Sequence, residues 1–416
     1  MWQGCRDPPD RYGKELYWVD LYTNEIKDIE IISPFEKKAN IICEMQKKIA
    51  SDIIYLISCV VNNRKPDKHR VAVMNHEAIL SFASTHMIST ITAIALESAG
   101  VKSPLTAGAI VKGVRRDCFF EKAWAEISAK LEDNSIWYLP IKGAILKNYY
   151  QKPGMREYSD YDILFDKTML DKVKDIMLSL GFEMEHDDTG HDIVFCKKPV
   201  LNFEMHTHLF GIGHEQIMND YYDNIHDRLI KDSDNKFGYH MSNEDFYIYM
   251  IAHEYKHYST SGTGLRSLMD TYVFTSSVEV DRAYVDMELK KLGIAIYEQQ
   301  NYSLAKKLFT GEQLNYDEEK MFEYIISSGT YGTMEHGIEH KLEKNGGSKI
   351  KYILSRFFVP ISKNDSRYLS FSKMYPKFYK NKLSICLLPF YRTYQAIKNK
   401  KLKRELNVVI HAKSNN

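Results

Sequence analysis

Apolar positions recur at three-to-four spacing in ANIICEMQKKIASDIIYLISCVV (Ala39–Val61) and in NHEAILSFASTHMISTITAIALESAG (Asn75–Gly100). That is the period of amphipathic helices, and SPLTAGAIVKGVRRDCFFEKAWAEISAKLED carries it on to Asp133. The texture changes at Ser135. SIWYLPI reads as a short apolar strand that runs into Lys142-Gly143, followed by a helix, AILKNYYQ. After the turn-rich loop KPGMREY, SDYDILF opens with strict alternation and reads as a second strand. DKTMLDKVKDIMLSLG predicts a helix started by an Asp/Thr cap and stopped by Gly181. HDIVFCKK and VLNFEMHTHLF, joined by a Pro-containing turn, predict an antiparallel pair. Beyond about residue 212 the helical period returns, through SNEDFYIYMIAHEYKHY, GLRSLMDTYVFTSS and VDRAYVDMELKKLG. Before residue 38 the one signal is ELYWVDLY-TN-EIKDIEI, a candidate hairpin.

These patterns predict an α+β chain, with a small mixed β-sheet core flanked by N-terminal and C-terminal helical regions. The expected divisions are an unassigned segment 1–38, a helical region 39–131, the mixed core 132–212, a helical domain 213–334 and a basic helical region 335–416. Composition changes this picture little: 44% hydrophobic and 27% charged residues are ordinary globular values. The longest apolar runs fall well short of the roughly 20 residues a membrane span needs, so no transmembrane segment is expected. The start, MWQGCRDPPDRYGKE, lacks the basic-then-apolar order of a signal peptide. Six scattered cysteines without a C-x-x-C suit a reducing, cytoplasmic setting.

Charge matters more. The net charge of +1 conceals 18 Lys and Arg against 3 Asp and Glu from Lys341 onward, which leaves −14 upstream. The first expectation for such a tail is a solvated helical surface, and the second a surface that attracts nucleic acid, membrane or phosphate-bearing ligands. Nucleic acid is not favoured as a partner, because no aromatic-plus-basic recognition module accompanies the tail. Nothing in the sequence sets an oligomeric state.

The candidate chemistry lies in the mixed core. Asp160 and Asp162 sit two apart on the predicted strand, so both leave on one face, while Tyr161, Ile163 and Phe165 point into a core. Two carboxylates converging to about 5 Å repel by about 3 kcal/mol at an effective dielectric of 20. A divalent cation removes that cost, and oxygen ligands suit Mg²⁺. Upstream, Gly143 lets backbone approach a ligand at the start of a helix, where amides favour phosphate. Lys142 and Arg156 add positive charge around the same turn. Downstream, Glu204, His206 and His208 share one strand face. A third carboxylate at Glu204 would hold a metal and take a proton from an attacking hydroxyl. Together the parts describe two-metal phosphoryl chemistry.

HEYKH, His253–His257, fits the zinc-peptidase pattern H-E-x-x-H. Context argues against that reading. Phe246, Met250, His253 and His257 form one helical stripe behind Ser242 as N-cap. A metzincin would need Gly and His where the chain has Thr260 and Thr263. Packing is therefore the first expectation for the two histidines, a place along the nucleotide site the second, and a zinc peptidase only a remote alternative. Asp270 is expected to pair with Arg266 at i,i+4 spacing.

The run IKGAILKNYYQKPGMREYSDYDILFDKTMLDKVKDIMLSLGF, then NFEMHTHLF, resembles the nucleotidyltransferase superfamily that includes DNA polymerase β. Within it, the chain resembles the bacterial branch of uncharacterised nucleotidyltransferases, with its Lys-Gly turn, an Arg before a D-x-D strand, and a later Glu-x-His strand. The resemblance implies that Asp160, Asp162 and Glu204 bind metal and catalyse. Lys142 and Gly143 would face the triphosphate, Arg156 would assist, and His206 and His253 would line the nucleotide site. The implied reaction moves an NMP group from an NTP (ATP is expected) to an unidentified hydroxyl on a protein, sugar or small molecule, using Mg²⁺ or Mn²⁺. Gly143-Ala144 departs from the Gly-Ser or Gly-Gly common in the superfamily. That departure motivates an alternative: a catalytically silent nucleotide-binding scaffold of the same fold.

Overall fold

A computed structural model describes residues 35–187, 192–211, 216–344, 348–349, 352, 359–362, 368–398 and 408–409. The candidate N-terminal hairpin and the dense basic cluster after Lys398 lie outside the described residues.

Five helices come first: α1 (Phe35–Val61), α2 (Lys68–Ala72), α3 (His76–Thr85), α4 (Ser89–Ser98) and α5 (Pro104–Asp133). Their starts are chemically marked. Asn75 caps α3, and Ser103 forms a capping box with Thr106 beside Pro104 at the head of α5. The mixed core follows as β1 (Tyr138–Ile141), α6 (Gly143–Leu146), β2 (Tyr161–Phe165), α7 (Leu170–Ser179), β3 (Glu183–Asp187), β4 (Asp192–Lys197) and β5 (Leu201–His206). These strands form one sheet in the order β1-β2-β5-β4-β3. All pairs are antiparallel except β2 with β5, which makes the sheet mixed as expected.

The sheet has two unlike faces. Tyr161, Ile163, Phe165, Phe203 and Met205 pack with Phe120, Ile127 and Leu131 of α5 and with Val173 and Met177 of α7. The spacing of Phe120, Ala123, Ile127 and Leu131 gives α5 a single apolar stripe for this contact. On the other face, Leu164 joins a larger core built from helices on both sides of the sheet in sequence, from Ala50 to Ile326. That core includes α9 (Asn243–Tyr258), α10 (Leu265–Ser277) and α12 (Ala295–Thr310), which follow α8 (Gln216–Tyr222) and a short hairpin of β6 (Ile230–Lys231) and β7 (Tyr239–His240). α11 (Arg282–Lys291), α13 (Tyr316–Ser328) and α14 (Met334–Lys344) complete the series, with shorter helices at Tyr368–Met374, Lys382–Ile385 and Leu388–Lys398.

One buried histidine ties the two helical regions together. His86, 1% exposed at the end of α3, accepts the Leu265 amide on Nδ1 at 3.1 Å. Burial pushes its pKa down from 6.5 to about 4, so the folded chain holds the ring neutral. The unfolded chain protonates first. Stability from this group is complete above about pH 6.5 and is lost as pH falls toward about 4, a difference of about 3 kcal/mol. A His86→Gln variant is expected to show a flatter acid limb of unfolding free energy against pH. An unchanged slope would assign the acid sensitivity elsewhere.

Candidate functional site

The turn after β1 sets the site. Lys142 adopts φ 52° and ψ −122°, a left-handed conformation unusual for a side chain with a Cβ. Such strain costs on the order of 1–3 kcal/mol and persists where the surroundings impose it. From this turn the Lys142 ammonium donates to Asp162 Oδ1 at 2.6 Å. At Gly143 a Cβ would lie 2.3 Å from Arg156 Nη1, so only glycine fits there. Arg156 is in turn fixed by Asp270 of α10, with Nη2 to Oδ2 at 2.9 Å, and the Tyr150 hydroxyl donates to Asp270 Oδ1 at 2.7 Å. Arg156 therefore braces the turn from behind. The expected Asp270–Arg266 pairing gives way to this longer-range one, and Arg266 donates instead to the Glu157 carbonyl at 3.0 Å.

Strand pairing brings the acids together. Parallel register sets Glu204 beside Asp162 and His206 beside Leu164, and antiparallel β4 sets Asp192 opposite His206. Asp162 is 2% exposed. Asp160 lies one residue before β2, half-buried, and accepts from Ser159 Oγ at 3.1 Å. His206 Nε2 meets Asp162 Oδ1 at 2.7 Å, and its Nδ1 meets Asp192 Oδ1 at 2.5 Å. His208 falls past the end of β5 and is exposed, so period two stops serving at His206.

The electrostatics follow from this geometry. Burial opposes ionising Asp162, yet Lys142 and His206 outweigh it and hold the carboxyl below its usual range. Burial and Lys142 push His206 down, but two carboxylates raise it to about 9, so the ring is an imidazolium. At Glu204 the balance reverses: burial, then Asp162 and Asp160, raise it to about 7, and Lys142 and His206 offset them only in part. For a raised carboxyl, stability is complete below about pH 4.5 and is lost as pH climbs through about 7. Glu204→Gln, which cannot ionise, is expected to be more stable than wild type at pH 8.5 by up to about 3 kcal/mol, and no more stable near pH 4.5. Chemical denaturation at the two pH values checks this.

Asp162, Glu204 and His206 each offer a ligand atom within 4.8 Å of the others, and no other such trio occurs among the described residues. Asp162 and Glu204 offer oxygen ligands that fit a divalent cation, while His206, held as an imidazolium, has no lone pair to give one. Asp160 is outside this trio.

One face of α9 lies within electrostatic reach of these groups. His253, Lys256 and His257 share one of its faces, with the two imidazoles 4.7 Å apart. His253 is pushed well down by burial and then by Lys142, His257, Lys256 and His206. Lys256 is lowered to about 8 by burial and Lys142, while Asp192, Asp162 and Glu204 pull it back up. The acids at Asp162, Asp192 and Glu204 thus act on this face through space. Glu254 points the other way: it is buried, accepts from Asn301 Nδ2 at 3.3 Å, and is pushed well up by burial and Asp270. Among the described residues no third ligand joins the two histidines, so the peptidase pattern is not assembled. The buried Tyr249 hydroxyl, sensing Lys142 and Asp162, has no hydrogen-bond partner among the described residues, as expected of an atom kept for a ligand or water.

Sequence reasoning missed Asp192, Tyr249 and Lys256. Asp192 was accessible through alternation in HDIVFCKK, and Lys256 through its place one turn after His253.

The mixed sheet thus sets a buried Asp beside a Glu on parallel neighbours, next to a Lys-Gly turn. The chain belongs to the uncharacterised nucleotidyltransferase family, whose model matches residues 72–310. No curated protein and no solved structure matches it.

Proposed function

We propose that the protein transfers a nucleoside monophosphate from an NTP to a hydroxyl acceptor and releases pyrophosphate. The observation that carries this reading is the buried register of Asp162 with Glu204, facing the cationic side of α9. Asp162 and Glu204 would hold Mg²⁺ or Mn²⁺, with Asp160 at the mouth of the site and His206 beside them as a positive charge. When bound, the cation supplies activation of the attacking hydroxyl and charge neutralisation on the leaving group. The chain's own residues do the rest. Lys142, Lys256 and His253 bind and orient the triphosphate. Asp192 keeps His206 charged and turned toward Asp162. As the acceptor oxygen bonds to the α-phosphorus and the bridge to the β-phosphate breaks, Glu204 takes the hydroxyl proton.

A second reading, nucleotide binding without turnover, is favoured by one observation: Asp162 Oδ1 already accepts from both Lys142 and His206. Pyrophosphate release from NTP, Mg²⁺ and a lysate separates the two. The proposal expects release by wild type and none by an Asp160→Ala/Asp162→Ala double variant. Equal release from both would sink it, and Mg²⁺-dependent NTP binding without release would select the second reading.

A further inference from the structure

We propose that the exposed face formed by Leu383, Leu387, Phe390, Tyr394 and Ile397 is a docking surface for an anionic lipid bilayer. These side chains are 59% to 84% exposed. They follow a 4-3-4-3 spacing along the helices Lys382–Ile385 and Leu388–Lys398, so they form one stripe. The connecting turn keeps the helical path, with the Cys386 amide bonded to the Leu383 carbonyl and the Leu387 amide to that of Ser384.

The polarity is inverted relative to an ordinary surface helix, which turns its apolar stripe inward. Here the segment is tacked down on its other side by buried Ile385 and Leu388 and by Arg392, whose guanidinium lies 5.1 Å from the Phe371 ring. The outward stripe is left for something else to cover. Charge names the occupant. Residues 377–404 contain nine Lys and Arg and no Asp or Glu. An apolar stripe of Leu, Ile, Phe and Tyr inside a purely basic segment is the composition of a helix lying in the plane of an anionic membrane surface. Among the described residues no helix is long and apolar enough to cross a membrane. A second copy of the chain would bring nine like charges against nine. Single-stranded nucleic acid would call for stacking rings, yet three of the five side chains are aliphatic.

The test uses the full chain with vesicles of phosphatidylcholine alone and of phosphatidylcholine with about one-third phosphatidylserine. Co-sedimentation is expected with the anionic vesicles only, and to weaken as salt screens the basic segment. Phe390→Asp/Tyr394→Asp is expected to lower vesicle binding by about tenfold or more, since it charges the stripe. Its circular dichroism and unfolding midpoint should match wild type, because both side chains are exposed. Absence of anionic-vesicle binding, equal binding to neutral vesicles, or undiminished binding by the variant overturns the proposal. So does a stripe-dependent dimer, or stripe-dependent RNA binding in a protein that ignores vesicles.

Discussion

Replacing Asp162 with Asn is expected to lower nucleotidyl transfer by at least about 10³-fold, the scale seen when a single preorganised charge-stabilising group is lost. The change also reaches the fold. Asp162 is the partner of the Lys142 ammonium at 2.6 Å and of His206 at 2.7 Å; Asp162 and His206 are buried and Lys142 is half-buried. Removing one member of a buried ion pair leaves an uncompensated charge, at a cost of about 3–5 kcal/mol. The two effects separate in a double variant. Asp162→Asn/Lys142→Met removes both partners, so much of the lost stability should return in chemical denaturation while transfer stays absent. Recovery of transfer along with stability would mean that Asp162 acts only as a structural counter-ion.

The second large effect lies behind the turn. Asp270→Ala is expected to destabilise the protein by about 3–5 kcal/mol, because Arg156 stays buried without its carboxylate. The Tyr150 hydroxyl loses its acceptor at the same time. Arg156 packs against Gly143, so freeing it loosens the Lys142-Gly143 backbone that presents the ammonium to Asp162. A misplacement of about 1 Å near a reacting centre costs on the order of 10²-fold in rate. Transfer should therefore fall even where the variant is folded. An Arg156→Met/Asp270→Leu variant should regain stability. If Asp270→Ala unfolds at the wild-type denaturant concentration, the brace is not structural.

Much of this site was legible before any coordinates. Period-two alternation placed Tyr161, Ile163 and Phe165 in one core and turned Asp162 away from it, as the two hydrophobic clusters show. The same rule put Glu204 and His206 on one face, and the Lys-Gly turn fell at the end of β1. The rest depended on pairings between distant segments. Arg156 and Asp270 are 114 residues apart, so local spacing suggested Arg266 as the partner instead. The edge strand β3, EMEHD, is polar and alternates too weakly to announce itself. Parallel register, which makes Asp162 a neighbour of Glu204, is set by sheet order and not by either strand alone. HEYKH shows both sides of the matter. Its helical stripe was readable, but what lies near the stripe depends on segments distant in sequence. Lys256, not Glu254, is the member that joins the histidines over the acids.

The most direct test follows the fate of the two ends of the nucleotide. The protein is incubated with Mg²⁺ and a lysate, once with α-labelled and once with γ-labelled NTP. The acceptor is expected to retain the α-label and not the γ-label, and to retain neither with the Asp160→Ala/Asp162→Ala variant. Retention of the γ-label would make the protein a kinase-type phosphoryl transferase, and α-label retained equally by the double variant would place the chemistry away from these carboxylates. Either result would contradict nucleotidyl transfer at Asp162 and Glu204.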